Sequence, residues 1–251
     1  MRYVIANLKM NQVSVADVDR YLVSFEREWV CLPTDSVQTI VCPSFPLIRE
    51  FREKLPSYVA VGAQNSFWEE RGAYTGEVSP ALLADMKTSF VLLGHSERRH
   101  MGETDEVVAK KISACLSAGL RPILCVGETS DDRNNNQTFE VILRQIEIAL
   151  ADVLLAQIDR ILIAYEPVWA IGTDRTPSAH DIMKVATFIR RFFLKKFNDE
   201  AIIPSIVYGG SVSADLIEEV CIRPGLSGVL VGRESLIPHE LACMVKKLSD
   251  V

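Results

Sequence analysis

Basic runs are missing from this chain of 251 residues, and its formal net charge is −6. That balance argues against a nucleic-acid partner or an anionic membrane surface. Long apolar runs are missing too: none approaches the roughly 18 residues of a membrane helix. The opening MRYVIANLKMN turns polar within a few residues and lacks the apolar stretch of an export signal. The six cysteines, Cys31, Cys42, Cys115, Cys125, Cys221 and Cys243, include no Cys-x-x-Cys pair, and the four histidines are far from metal-ligand spacing. Buried, reduced thiols in a cytosolic protein are therefore expected, and a structural metal is not. No Gly-x-Gly-x-x-Gly follows the first apolar run, which speaks against a doubly wound dinucleotide-binding sheet. Low-complexity tracts and sequence repeats are absent.

What is present is an alternation. With 48% hydrophobic and 24% charged residues, the composition is that of a globular protein. Eight short apolar runs occupy 3–6, 39–42, 59–63, 90–93, 123–126, 161–165, 205–208 and 228–231. Between them apolar residues recur at spacings of three or four: Val18, Leu22 and Phe25; Val108, Ile112 and Cys115; Ile142, Ile146 and Ala149; Ile182, Val185 and Ile189. Each set marks one helix face. Ser178 followed by Asp181 is a capping-box signal for the last of these helices. Eight strand–helix units without a linker predict one domain over 1–251. They suit a closed parallel (β/α)8 barrel with outer helices, for which about 250 residues is typical.

In such a barrel the site lies at the C-terminal ends of the strands. Those ends carry Asn7 and Lys9, Gln64 and Asn65, His95 and Glu97, Glu128, Glu166, 209–211, and Gly232 with Arg233. Glu166 follows five apolar residues directly, where water is scarce. It reads as a proton-transferring base or as a strand-end carboxylate paired with Lys or Arg. Lys9, His95 and Glu166 share one rim, and together they suit proton abstraction beside a carbonyl whose oxygen is polarised. Ser96 is a good N-cap, and a histidine beside a helix N-terminus is favoured in its neutral form. Gly172, Gly209, Gly210 and Gly232, with Ser211, follow the last three strands, where barrels bind phosphate. The loop with Val168, Trp169 and Ile171 is too apolar for an ordinary mobile loop and predicts a lid that excludes water.

Five motifs carry a family resemblance: AYEPVWAIGT at 164–173, GHSERR at 94–99, YGGSV at 208–212, TGEVS at 75–79 and NLKMN at 7–11. The chain resembles triosephosphate isomerase over essentially its full length. The resemblance implies a TIM (β/α)8 barrel in glycolysis and gluconeogenesis. It further implies interconversion of dihydroxyacetone phosphate and D-glyceraldehyde 3-phosphate through an enediolate, without cofactor or metal. That enzyme's Glu base, neutral His and closing loop are a standard example of tuned acid–base catalysis. By motif match Glu166 shuttles the proton, His95 acts on the oxygens and Lys9 stabilises charge. Asn7 and Lys9 bind substrate, Glu97 supports the site, and Gly172, Ser211, Gly232 and Arg233 hold phosphate through backbone N–H groups. A cytoplasmic homodimer is also implied, with Thr75 on the aromatic-bearing loop 64–79 reaching into the partner.

Departures from the family pattern are local. Leu8 stands where Trp is usual, the lid reads IGTDRTP for IGTGKTA with Asp174 and Pro177, and Arg233 replaces a glycine. Arg233 can offer its N–H only at a φ that a side chain tolerates, and its guanidinium is expected in solvent with Glu234. The same chemistry on a four-carbon tetrulose phosphate, a Schiff-base aldolase with Lys9 as nucleophile, and a non-catalytic phosphate-binding barrel are the competing readings.

Overall fold

In the computed structural model, which describes residues 1–30, 32, 36–171, 176–197 and 202–250, eight strands close into one parallel barrel in the order of the sequence. They are β1 (Arg2–Asn7), β2 (Val37–Cys42), β3 (Ala60–Ala63), β4 (Phe90–Leu93), β5 (Arg121–Val126), β6 (Leu162–Tyr165), β7 (Ser205–Tyr208) and β8 (Gly228–Val231). The ring closes where β8 pairs with β1, Tyr3 opposite Gly228. Around it lie α1 (Val15–Trp29), α2 (Ile48–Lys54), α3 (Pro80–Asp85), α4 (Ser96–His100), α5 (Asp105–Ser117), α6 (Ser130–Asn134), α7 (Thr138–Ala149), α8 (Ala179–Phe197) and α9 (Pro238–Ser249). Between β7 and β8 the chain makes a 3₁₀ turn, Ala214–Leu216, and a π-helical turn, Glu218–Ile222. Among the described residues, no helix is long and apolar enough to cross a membrane.

The helical spacings find their partners. Val18, Leu22 and Phe25 are buried on α1, whose first turn is capped by Ser14 accepting from Asp17 N at 3.2 Å. The apolar sets on α5, α7 and α8 are likewise buried. Of the capping box before α8 the first half forms: Ser178 Oγ accepts from Asp181 N at 3.1 Å. The Asp181 carboxylate turns to Arg133 instead, 3.3 Å away, because a charged partner outcompetes the neutral backbone N–H.

Period two separates the core into two shells. One shell fills the barrel interior with Tyr3, Ile5, Ile40, Cys42, Phe90, Leu92, Ile123, Cys125, Leu162, Ala164, Val207 and Leu230. The residues between them, such as Val4, Val41, Val91, Leu124 and Ile163, pack beneath the helices. Continuing the inward register by one step reaches Asn7 on β1, Gly127 after β5, Glu166 after β6, Gly209 after β7 and Gly232 after β8. Five of the eight strands thus bring one carboxylate, one amide and three glycines to the top of the barrel.

Candidate active site

Asn7, Glu166, Gly209 and Gly232 of that set floor a cavity of about 550 Å³ at the C-terminal end of the strands. Asn7, Lys9, His95, Glu97, Glu166, Ser211, Gly232 and Arg233 all line it. Thr75 stands apart on the exposed loop, and Gly172 and Asp174 lie outside the described residues.

Glu166 is held from both sides. Its N–H donates to Val126 O at 2.7 Å, which extends β6 against β5. Gly127 and Gly209 leave it room: a Cβ on Gly127 would sit 1.7 Å from Glu166 O, and one on Gly209 would sit 2.8 Å from Glu166 Cγ. The side chain is 2% exposed. Oε2 accepts from Ser96 N at 3.0 Å. Oε1 is buried 3.4 Å from His95 Nε2 and, among the described residues, makes no well-formed hydrogen bond. A buried carboxylate oxygen without a donor is costly in structure and useful in chemistry.

His95 departs from the sequence expectation at its helix. His95 itself caps α4, its Nδ1 accepting from Glu97 N at 3.2 Å, and Ser96 is the first helical residue. The imidazole outcompetes the Ser hydroxyl, and Ser96 N is freed to donate to Glu166. A nitrogen that accepts a backbone N–H bears no proton, so Nε2 presents the N–H of the neutral ring. Asn7 Nδ2 lies 3.3 Å from that nitrogen. Because Asn7 Oδ1 already accepts from Lys9 N at 3.1 Å, the amide also turns N–H towards the cavity. Two donors converge there and await an oxygen.

Lys9 sits in a left-handed backbone conformation, φ 50. Such strain persists only where the surroundings over-determine it, and here they do. Its carbonyl accepts from Gln64 Nε2 at 2.9 Å and Ser44 Oγ at 3.0 Å, while its N–H is taken by Asn7. Its Nζ lies 2.6 Å from Glu97 Oε1, a carboxylate also 3.8 Å from His95 Nδ1. Ser235 Oγ donates to Asn7 O at 3.0 Å and ties β1 to the turn after β8.

The loop after β6 leaves the barrel from a fixed base. Glu128 is fully buried, and burial pushes its carboxyl up, against hydrogen bonds from Trp169 and Tyr165 that pull the other way. Trp169 Nε1 donates to Glu128 Oε1 at 2.8 Å, and the Arg133 guanidinium lies 4.4 Å from the centre of the Trp169 ring. Ser211 Oγ donates to Ala170 O at 2.9 Å. Pro177, at the far end, is buried. The sequence marked Glu128 only as a strand end; nothing in its spacing announced Trp169 as its partner. Val212, Leu216 and Leu230, which form an apolar wall of the cavity, likewise carried no signal beyond hydrophobicity.

The departures at Arg233 and Leu8 resolve differently. Arg233 begins a 3₁₀ turn, Arg233–Leu236, and is not among the residues with positive φ. Its backbone is one that a side chain tolerates. The side chain is exposed, as expected, yet both it and Glu234 form part of the cavity rim. Leu8 is fully buried, so packing is all that this position asks.

A closed parallel barrel with a buried carboxylate beside N–H donors at the C-terminal ends of its strands has the architecture of the (β/α)8 enzymes. The family model described as triosephosphate isomerase matches residues 2–248. Triosephosphate isomerase of Aquifex aeolicus is 42% identical over 246 residues, covering 97% of this chain and 98% of the relative. That of Carboxydothermus hydrogenoformans is 46% identical and that of Endomicrobium trichonymphae 43%, each over 213 residues, 84% of this chain and 85% of the relative. The chain belongs to the triosephosphate isomerase family.

Proposed function

We propose that residues 1–251 act as one domain that interconverts dihydroxyacetone phosphate and D-glyceraldehyde 3-phosphate, with Glu166 as the proton-transferring base. The observation that carries this reading is the buried, undonated Oε1 of Glu166 beside two converging N–H donors. The carboxylate takes a proton from one carbon and returns it to the neighbouring carbon. His95 Nε2–H and Asn7 Nδ2–H meet the oxygen on which charge develops, and Lys9 adds a positive charge. One proton moves between adjacent carbons and no electrons are exchanged, so the step calls for no redox cofactor. Phosphate binding by Ser211, Gly232 and Arg233, which line the cavity, belongs to the same proposal; Gly172, expected to join them, lies outside the described residues. Lys9, ion-paired with Glu97, serves as a charge rather than as a Schiff-base nucleophile. A coupled assay on glyceraldehyde 3-phosphate, run beside a four-carbon analogue, tests this. Turnover on the triose with kcat/KM at least tenfold higher, about 1.4 kcal/mol of discrimination, is the expected result. Preference for the tetrose, or no isomerisation, sinks it.

Arg233 lies at the rim, where charges act on encounter more than on chemistry. Arg233→Ala is expected to lower kcat/KM by about threefold at low ionic strength, with kcat unchanged. The deficit should close as salt screens the rim. A loss in kcat that persists at high salt would place the guanidinium on the reacting molecule instead.

The same proposal includes a homodimer. Loop 64–79 is clamped at its base by Gln64 on Cys42 O and by Phe67 N on Val78 O, then stands out with 69–77 exposed throughout. Phe67 stacks on Trp68 and meets Tyr74, which is 44% exposed. Met10, Val13 and Met101, on loops leaving the same end of the barrel, are exposed as well. Grouped apolar exposure of this kind marks a partner surface. Sedimentation is expected to give twice the chain mass, shifting to one chain in Tyr74→Asp/Met101→Asp; a monomeric wild type refutes the dimer. The five described cysteines are free, which supports a reducing, cytoplasmic setting.

A further inference from the structure

The isomerase site leaves unused a group of side chains on the C-terminal helix. His239 and Cys243 stand four residues apart on α9, on one helix face. Cys243 Sγ lies 3.6 Å from His239 Nε2, and His239 Nδ1 lies 3.1 Å from Glu28 Oε2 on α1. Thiol, imidazole and carboxylate therefore form a line across the seam between the first and last helices. The hydrogen bond from His239 is the chief reason that the Glu28 carboxyl is held below its usual range. At neutral pH that carboxylate only accepts, so Nδ1 carries the ring hydrogen and Nε2 turns its lone pair towards the thiol.

The other described cysteines offer a contrast. Cys42, Cys115, Cys125 and Cys221 are buried, and burial pushes their thiols up, Cys115 to about 11 and Cys221 to about 12. Cys243 is half-buried, beside a histidine whose side chain is 65% exposed. Among the described residues it is the one thiol that combines solvent access with an oriented base. The surrounding charges favour an anionic reactant. Lys246, one turn along α9, is exposed, and Arg27 lies beside Glu28 at 3.3 Å. The neighbouring Glu240 is turned to Ala214 N.

We propose that Cys243 is a thiol-modification site, at which His239, oriented by Glu28, takes the thiol proton and the sulfur attacks an anionic low-molecular-weight disulfide. The S–H proton passes to Nε2 and the thiolate attacks one sulfur of the disulfide. The new S–S bond forms as the old one breaks, and the departing thiolate takes the proton from the imidazolium. Cys243 is oxidised to a mixed disulfide while the other half of the reagent leaves as a reduced thiol.

Oxidised glutathione is a suitable probe, with intact mass and peptide mapping as readouts on the full chain. The expected result is one glutathionyl group on the Cys243 peptide. It should form about tenfold more slowly in His239→Ala and in Glu28→Gln, both with unchanged isomerase turnover. After complete unfolding, equal rates in all three proteins would tie the difference to the folded arrangement. A first adduct on another cysteine, Cys31 included, overturns the proposal. So do equal rates in folded wild type and His239→Ala.

Discussion

Glu166→Gln is expected to lower kcat by roughly 10²–10⁴-fold, the share a positioned general base contributes, and to leave the thermal midpoint close to that of the parent. The two outcomes separate because the amide is nearly the same shape. Its oxygen still accepts from Ser96 N, now made at 3.0 Å, and its bulk still fills the space that Gly127 and Gly209 leave. What is lost is basicity at Oε1, the one carboxylate oxygen that points at His95 without a donor of its own. Glu166→Asp is the companion variant. It keeps the charge and withdraws it by one methylene, and a displacement of about 1 Å is enough to cost about 10²-fold. Steady-state kinetics with a thermal melt on each variant decide the matter. Near-normal turnover in the Gln variant would remove Glu166 from the reaction.

Gly127→Ala is the second large effect, and its signature is the opposite: fold and rate fall together. The added Cβ meets Glu166 O at 1.7 Å and Glu166 C at 2.6 Å. Both are backbone atoms, so no rotamer change relieves the contact. Gly127 cannot retreat, because its N–H donates to Gln145 Oε1 at 2.8 Å and its carbonyl accepts from Gln145 Nε2 at 3.2 Å. Strands β5 and β6 must part, at a cost of about 3 kcal/mol, which lowers the melting midpoint by roughly 10 °C in a chain of this size. Gly209→Ala is the control. Its Cβ meets the Glu166 side chain at 2.8 Å, which can give way, so stability is largely kept while kcat drops. Equal midpoints for Gly127→Ala and the parent would show that the strand ends are slacker than the geometry implies.

The barrel was legible because each strand is a short apolar run between turn signals, and the observed strands differ from those runs at their ends only. β1 and β2 begin earlier, at Arg2 and Val37, where polar residues still pair in the ladder. β5 begins at Arg121, because Pro122 breaks the apolar pattern without breaking the strand. The short helices α2, α3 and α6 went unmarked, being too brief for a 3.6-residue period to repeat, and α4 was marked by its cap alone. That Lys9, His95 and Glu166 share one cavity followed from position alone, since a strand end in a barrel is a place in space. The contacts that fix them were not. Gln64 reaching the Lys9 carbonyl, or Ser235 the Asn7 carbonyl, joins residues 55 and 228 positions apart. No local pattern encodes such a pair. Ser96 shows the other limit: a hydroxyl and an imidazole compete for one helix end, and only geometry tells which prevails.

The uppermost layer of the barrel has a further meaning. Lower layers are filled with apolar side chains, the larger of which contribute about 2 kcal/mol each when buried. Where Gly209 and Gly232 line the cavity, that contribution is forgone. The molecule is therefore a core left unfinished by one course, and the cavity is the missing course. A ligand seated there becomes a packing element as much as a reactant, so occupancy and rigidity rise together. The glycines that forgo stability in the empty barrel are what allow a bound molecule to restore it.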